Sequence, residues 1–150
     1  MQEPGTAKDT AGPGELEGGC VCGAMRYVLR AAPRVHYCHC SMCRRSTGSA
    51  FAVLAWVRWD EVGWHGDTLM PYRSSPIAIR SFCRECGTSL TLHYGGREDG
   101  TGEEVAFHVG TLDHPERVSP TYHYGVEARL PWIDCGADLP EQQTKEKWNA

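Results

Sequence analysis

The chain has 150 residues, 41% hydrophobic and 23% charged, which is about one domain's worth of ordinary globular sequence. That balance excludes a disordered polymer and a bundle of membrane helices. Its 15 Lys and Arg against 19 Asp and Glu leave a formal charge of -4. No basic footprint for a phosphate backbone results, and no nucleic-acid partner is expected.

Met1 to Gly19 contain no aromatic residue and a single Leu, too little apolar surface to offset ordering entropy, so residues 1–19 read as a flexible tail. The segment also lacks the apolar core of a secretory leader, and no run reaches the roughly 18 apolar residues of a membrane helix. A cytoplasmic address and no membrane partner are the expectation. From Cys20 onward, strand-length apolar runs alternate with Gly and Pro: Met25 to Leu29, Val35 to Cys38, Phe51 to Trp59, Ile77 to Phe82, Leu90 to Tyr94 and Val105 to Val109. Both parities of Phe51 to Trp59 are apolar, which predicts a central strand covered on both faces. Ser41 to Thr47 fits one short helical turn ended by Gly48, and Glu141 to Trp148 a terminal helix. The predicted fold is mainly β, a single small zinc-bearing domain of short antiparallel strands with few helices over residues 20–140, followed by a tail, 141–150.

The eight cysteines are Cys20, Cys22, Cys38, Cys40, Cys43, Cys83, Cys86 and Cys135. Four disulfides are disfavoured, because close CxC and CxxC pairs do not generally reach distant partners without strain and no export signal is present. A thioredoxin-like redox pair needs a following helix, and none is predicted after Cys86. Metal ligation remains, and thiolate pairs at this spacing suit zinc. Cys20 and Cys22 in CVCG, with Cys83 and Cys86 in CRECG, bring four sulfurs from two tight turns. The glycine after each pair permits the positive φ that such turns require. Four sulfurs would close a tetrahedral shell and make this site structural; the alternative is two tight turns that merely carry buried thiols.

Cys38-His39-Cys40-Ser41-Met42-Cys43 forms a second, local trio. His39 lies between two ligands and should point away from their shared face. With Cys135 as a fourth ligand the site is structural; without it, one position stays open for water or substrate, as in catalytic zinc. The stretch from Gly18 to Trp59 has no acidic residue but holds Arg26, Arg30, Arg34, Arg44, Arg45 and Arg58, which places a positive field around five of the cysteines. His36, His65, His93, His108, His114 and His123 lack ligand spacing and read as surface or hydrogen-bonded histidines. Trp56, Trp59, Trp64 and Trp132 read as core or wall residues, and Asp113 as a turn or cap residue.

The segments GGCVCGAMRY, YCHCSMCRRSTGSAF, YRSSPIAIRSFCRECGTSL, VGTLDHP and RLPWIDCGADLP, in that order, resemble the glutathione-dependent formaldehyde-activating enzyme family, which also contains centromere protein V. The resemblance implies a β-rich fold with two zinc ions per chain. It maps a closed site onto Cys20, Cys22, Cys83 and Cys86, and an open, catalytic one onto Cys38, Cys40 and Cys43. It also implies a carbon-sulfur lyase of the S-(hydroxymethyl)glutathione synthase type. Members often carry His where this chain has Val21, which is not a ligand position.

On that reading glutathione enters the open position as a thiolate and adds to formaldehyde or a related small aldehyde. Arg44 and Arg45, beside Cys43, can bind its two carboxylates or simply neutralise the thiolate cluster. Thr47, Gly48 and Ser49 are equally ligand donors or turn residues. The competing class is a non-catalytic zinc-stabilised binding module or a glutathione carrier.

Overall fold

A computed structural model describes residues 14–94 and 103–146. The strands form two sheets. The small one has the order β1-β2-β5, built from β1 (Leu16–Gly19), β2 (Arg26–Leu29) and β5 (Val62–His65). The large one comprises β3 (Arg34–Cys38), β4 (Ala52–Arg58), β6 (Leu69–Arg73), β7 (Ala78–Cys83), β8 (Ser89–Tyr94), β9 (Glu104–His108), β10 (His123–Tyr124) and β11 (Glu141–Gln142). Its order is β11-β10-β3-β4-β9-β8-β7-β6. All pairs are antiparallel except β10, which runs parallel to both β3 and β11, so the large sheet is mixed. The fold is mainly β, as the short apolar runs imply.

Strand alternation assigns the two faces of the large sheet different work. One parity, with Val35, Ala55, Val57, Val105 and Phe107, packs under the small sheet against Leu16, Tyr27 and Leu29. Tyr27 lies 4.1 Å from Phe107 between ring centroids, and its hydroxyl meets the Thr111 hydroxyl at 2.7 Å. The other parity, with Cys38, Ala52, Leu54, Trp56, Ala78, Leu92 and Ala106, packs against Met42 and Cys43 of the helix α1 (Ser41–Thr47). β4 therefore has cover on both faces, as its uninterrupted apolar run predicts. It sits between β3 and β9.

Several readings change. Leu16–Gly19 are a strand rather than tail: Leu16 joins the core, and the strand pairs with β2, so non-local pairing orders a stretch whose own composition would not. Residues 1–13 lie outside the described residues. Glu141 begins a short strand on β10, not a helix. The backbone of 143–146 is irregular, and 147–150, with Trp148, are outside the described residues. Trp132 is 70% exposed, in a turn rather than a core. Asp113 makes a two-pronged ion pair with Arg26, Oδ1 to NH1 at 2.9 Å and Oδ2 to NH2 closer still. It thereby locks β2 to the loop after β9. His65 and His114 are exposed as expected, but His36, His93, His108 and His123 are buried, because their strands lie inside the large sheet.

Candidate metal centres and the adjoining cavity

Two turns build the first sulfur cluster. Cys20 and Cys22 occupy the β1–β2 turn, Cys83 ends β7 and Cys86 lies in the β7–β8 turn, with Gly23 and Gly87 both at φ 80°. This is the left-handed backbone that the glycine in CVCG and CRECG implies. All four Sγ atoms lie within 4.8 Å of one another. Cys20 and Cys22 are 3.5 Å apart and Cys22 and Cys83 3.9 Å, bracketing the edge of about 3.8 Å in a tetrahedron with Zn–S bonds near 2.3 Å. Met25 N–H donates to Cys20 Sγ at 3.2 Å, and the Thr68 and Thr88 hydroxyls reach Cys83 and Cys86 at 3.3 and 3.1 Å. Burial opposes ionisation of Cys86, but hydrogen bonds from Thr88 and Cys22 together outweigh it and bring the thiol down to about 6. Donor type, spacing and hydrogen bonding fit zinc.

The second cluster owes its geometry to a strand running directly into a helix. Cys38 ends β3, Cys40 is the N-cap of α1 and Cys43 lies in its first turn. Cys43 N–H donates to Cys40 Sγ at 3.3 Å, so the capping bond itself draws the cysteines together. Cys38 and Cys40 are 3.4 Å apart, and all three sulfurs are buried within 4.8 Å of one another. S–H donation, from Cys38 first and then Cys40, and the nearby Arg80 guanidinium hold Cys43 well below the ordinary thiol range. Cys38 is pushed up, first by its contact with Cys40. The three sulfurs lie close enough to share one divalent cation, and the donor set again fits zinc.

Among the described residues the trio gains no fourth metal-binding side chain. His39 turns away, its Nε2 2.8 Å from Nδ1 of His123, as its position between two ligands implies. Cys135 is exposed and lies against the Tyr37 side chain. It does not join the trio.

Beside the trio a cavity of about 560 Å³ reaches Cys38. Its walls include His36, Trp56, Tyr94, Tyr122 and Tyr124, and three glutamates and Arg34 also border it. Trp56 Nε1–H donates to His36 Nε2 at 2.8 Å, so Nδ1 carries the proton and donates to the Tyr37 carbonyl at 3.0 Å. Burial lowers the His36 pKa, and the neutral ring stacks on Tyr122 at 4.8 Å. Arg34 is engaged by Glu104 at 3.2 Å and lies 5.4 Å above the Trp56 ring.

The arginines singled out by their nearness to Cys43 stand elsewhere. Arg44 donates to the Ala128 carbonyl at 2.9 Å, Arg45 is exposed, and neither lines the cavity. Thr47, Gly48 and Ser49 close the helix: Thr47 Oγ1 donates to the Cys43 carbonyl at 2.8 Å, Ser49 N–H bonds back to Thr47, and Gly48 is a left-handed cap. The basic residue at the trio is instead Arg80 of β7. Its side chain is fully buried, and NH2 lies 3.5 Å from Cys43 Sγ. Its signal in the sequence was an arginine at the centre of the apolar run Ile77 to Phe82, sharing the parity of Ala78.

The family model of the glutathione-dependent formaldehyde-activating enzyme matches residues 15–128. The chain belongs to that family. The chain is 33% identical over 81 residues to an uncharacterised lyase of Schizosaccharomyces pombe, covering 53% of this chain and 58% of that one. It is also 33% identical over 89 residues to a Podospora anserina protein that carries the family's name, covering 54% and 42%. The chain thus matches well under two thirds of the length of these curated relatives. A crystal structure of a Rhodobacter sphaeroides protein superposes with a TM-score of 0.50 at 25% identity, covering 83% of this chain and 98% of that one.

Proposed function

We propose that this family member is a zinc-dependent carbon-sulfur lyase-like enzyme that joins a thiol, glutathione or one like it, to formaldehyde or a related small aldehyde. One observation carries the reading: three buried sulfurs converge beside a cavity with no fourth protein donor among the described residues. Cys20, Cys22, Cys83 and Cys86 would hold a structural ion, and Cys38, Cys40 and Cys43 a second. Zinc bound to the trio supplies a charge that stabilises a thiolate at neutral pH.

The chain's own residues do the rest. Cys38 brings the trio to the cavity edge, where an incoming sulfur has room. The aromatic walls and neutral His36 offer flat faces to the small carbonyl compound. In the net reaction the thiol sulfur bonds to the carbonyl carbon, and the thiol proton ends on the carbonyl oxygen. Nothing is oxidised or reduced, which suits a metal without redox chemistry.

The test is glutathione–formaldehyde exchange followed by NMR. Cys40→Ser keeps an N-cap acceptor for the Cys43 N–H, so the helix is retained while a sulfur ligand is lost. The variant should fall to the spontaneous rate. Equal rates in both proteins, above the spontaneous one, would remove the trio from catalysis.

A further inference from the structure

Arg80 is the largest of the fully buried side chains among the described residues, and an arginine guanidinium is charged at any pH the folded protein meets. Its NH2 meets Cys43 Sγ at 3.5 Å, while Nε and NH1 are buried without a hydrogen-bond partner among the described residues. A guanidinium so placed is very costly unless negative charge lies beside it. No carboxylate forms an ion pair with it among the described residues. The sulfur trio is the negative charge in contact with it. Three thiolates and one divalent cation sum to -1, and Arg80 brings the buried assembly to neutrality. A neutral assembly can accept one further anion; an assembly already at -1 would take one only against repulsion at short range and low dielectric.

We propose that Arg80 is the charge-balancing residue of the three-cysteine site and that, acting through Cys43, it makes the open position selective for an anionic sulfur over a neutral ligand. This rests on the reading of the trio as an open zinc site. Arg80 touches no substrate atom. Its hydrogen bond draws electron density from the Cys43 sulfur, which leaves the metal with more affinity for a fourth donor. When a thiol enters, its proton passes to solvent, and the added charge is shared between metal and guanidinium. Arg44 and Arg45, turned from the cavity, are not required for this.

The test uses the full chain with Co(II) in place of zinc, so that thiol binding is read from the d–d and sulfur-to-cobalt charge-transfer bands, without turnover. 2-Mercaptoethanol serves as a small uncharged thiol that binds as its anion, and imidazole as a neutral ligand. Wild type should prefer the thiol, and Arg80→Met should bind it at least about tenfold more weakly with imidazole affinity little changed, the size of one short-range charge interaction. Arg80→Lys, which restores a point charge, should recover most of the thiol affinity. A thiol band equally strong in Arg80→Met, or a lysine variant as weak as methionine, overturns the role of Arg80 while leaving the open site intact. If Arg80→Met does not fold, the wild type decides alone, and a preference for imidazole over the thiol overturns the proposal. Absence of any thiol band in the wild type sinks the open-site reading itself, a result distinct from the others.

Discussion

Replacing Cys20 and Cys22 together by serine removes one arm of the four-sulfur cluster and so tests whether that cluster holds the two sheets together. Cys22 and Cys83 are 61 residues apart in sequence, so a metal bridging them closes a long loop in the unfolded chain. The chain-entropy expression for a cross-link of that span gives about 4 kcal/mol at 25 °C. For a domain of this size that corresponds to a fall of roughly 8 to 16 °C in the thermal midpoint. Packing takes the smaller part of this loss: Cys22 is only partly buried, and at buried Cys20 serine is close to cysteine in volume and keeps an acceptor for the Met25 N–H. Val21, between them, is 72% exposed, and Val21→Ser serves as the control with an unchanged midpoint. The assay is thermal unfolding by circular dichroism under reducing conditions, with zinc measured on the same samples. The double variant should lose one zinc equivalent, and a chelator should lower the wild type towards it. A variant with full zinc content and a midpoint within about 2 °C of wild type would refute the cross-link argument.

Two other expectations follow from particular contacts. Burial lowers the His108 pKa from 6.5 to about 4, so between those values the unfolded chain binds a proton that the folded one refuses, and stability falls as pH drops through that window. The loss is about 3 kcal/mol at most; urea titrations of wild type and His108→Gln at pH 7 and pH 4.5 should show a smaller drop in the variant, and equal drops would acquit His108. Arg44→Ala should cost about 1 kcal/mol through its bond to the Ala128 carbonyl, with thiol affinity unchanged by calorimetry; a several-fold weaker thiol affinity would return Arg44 to the binding site.

Much of the site was legible in one dimension because its parts are local. Cys38, Cys40 and Cys43 converge through a strand end and the first turn of a helix, both written within six consecutive residues. The CVCG and CRECG turns likewise announce their backbone through glycine. The strands with continuous apolar runs, from β2 through β9, were readable for the same reason, while β5 and β6 were not. Val62–His65 carries Gly63 and Leu69–Arg73 carries Pro71, residues that read as strand breakers, and the two strands exist by pairing with β2 and β7.

Spacing along the chain determined which sulfurs belong together, that each group suits zinc, and that a small β domain surrounds them, since ligand geometry and strand periodicity are short-range properties. Only the tertiary structure decided which charge answers the trio and what adjoins it. Arg44 and Arg45 are neighbours of Cys43 in sequence, but the helix carries Arg44 to a distant carbonyl and leaves Arg45 exposed. Arg80, 37 residues away, arrives from across the sheet. The aromatic cavity likewise gathers residues from β3, β4, β8 and the β10 region. Contacts of that kind are set by strand order and register, which no local pattern encodes.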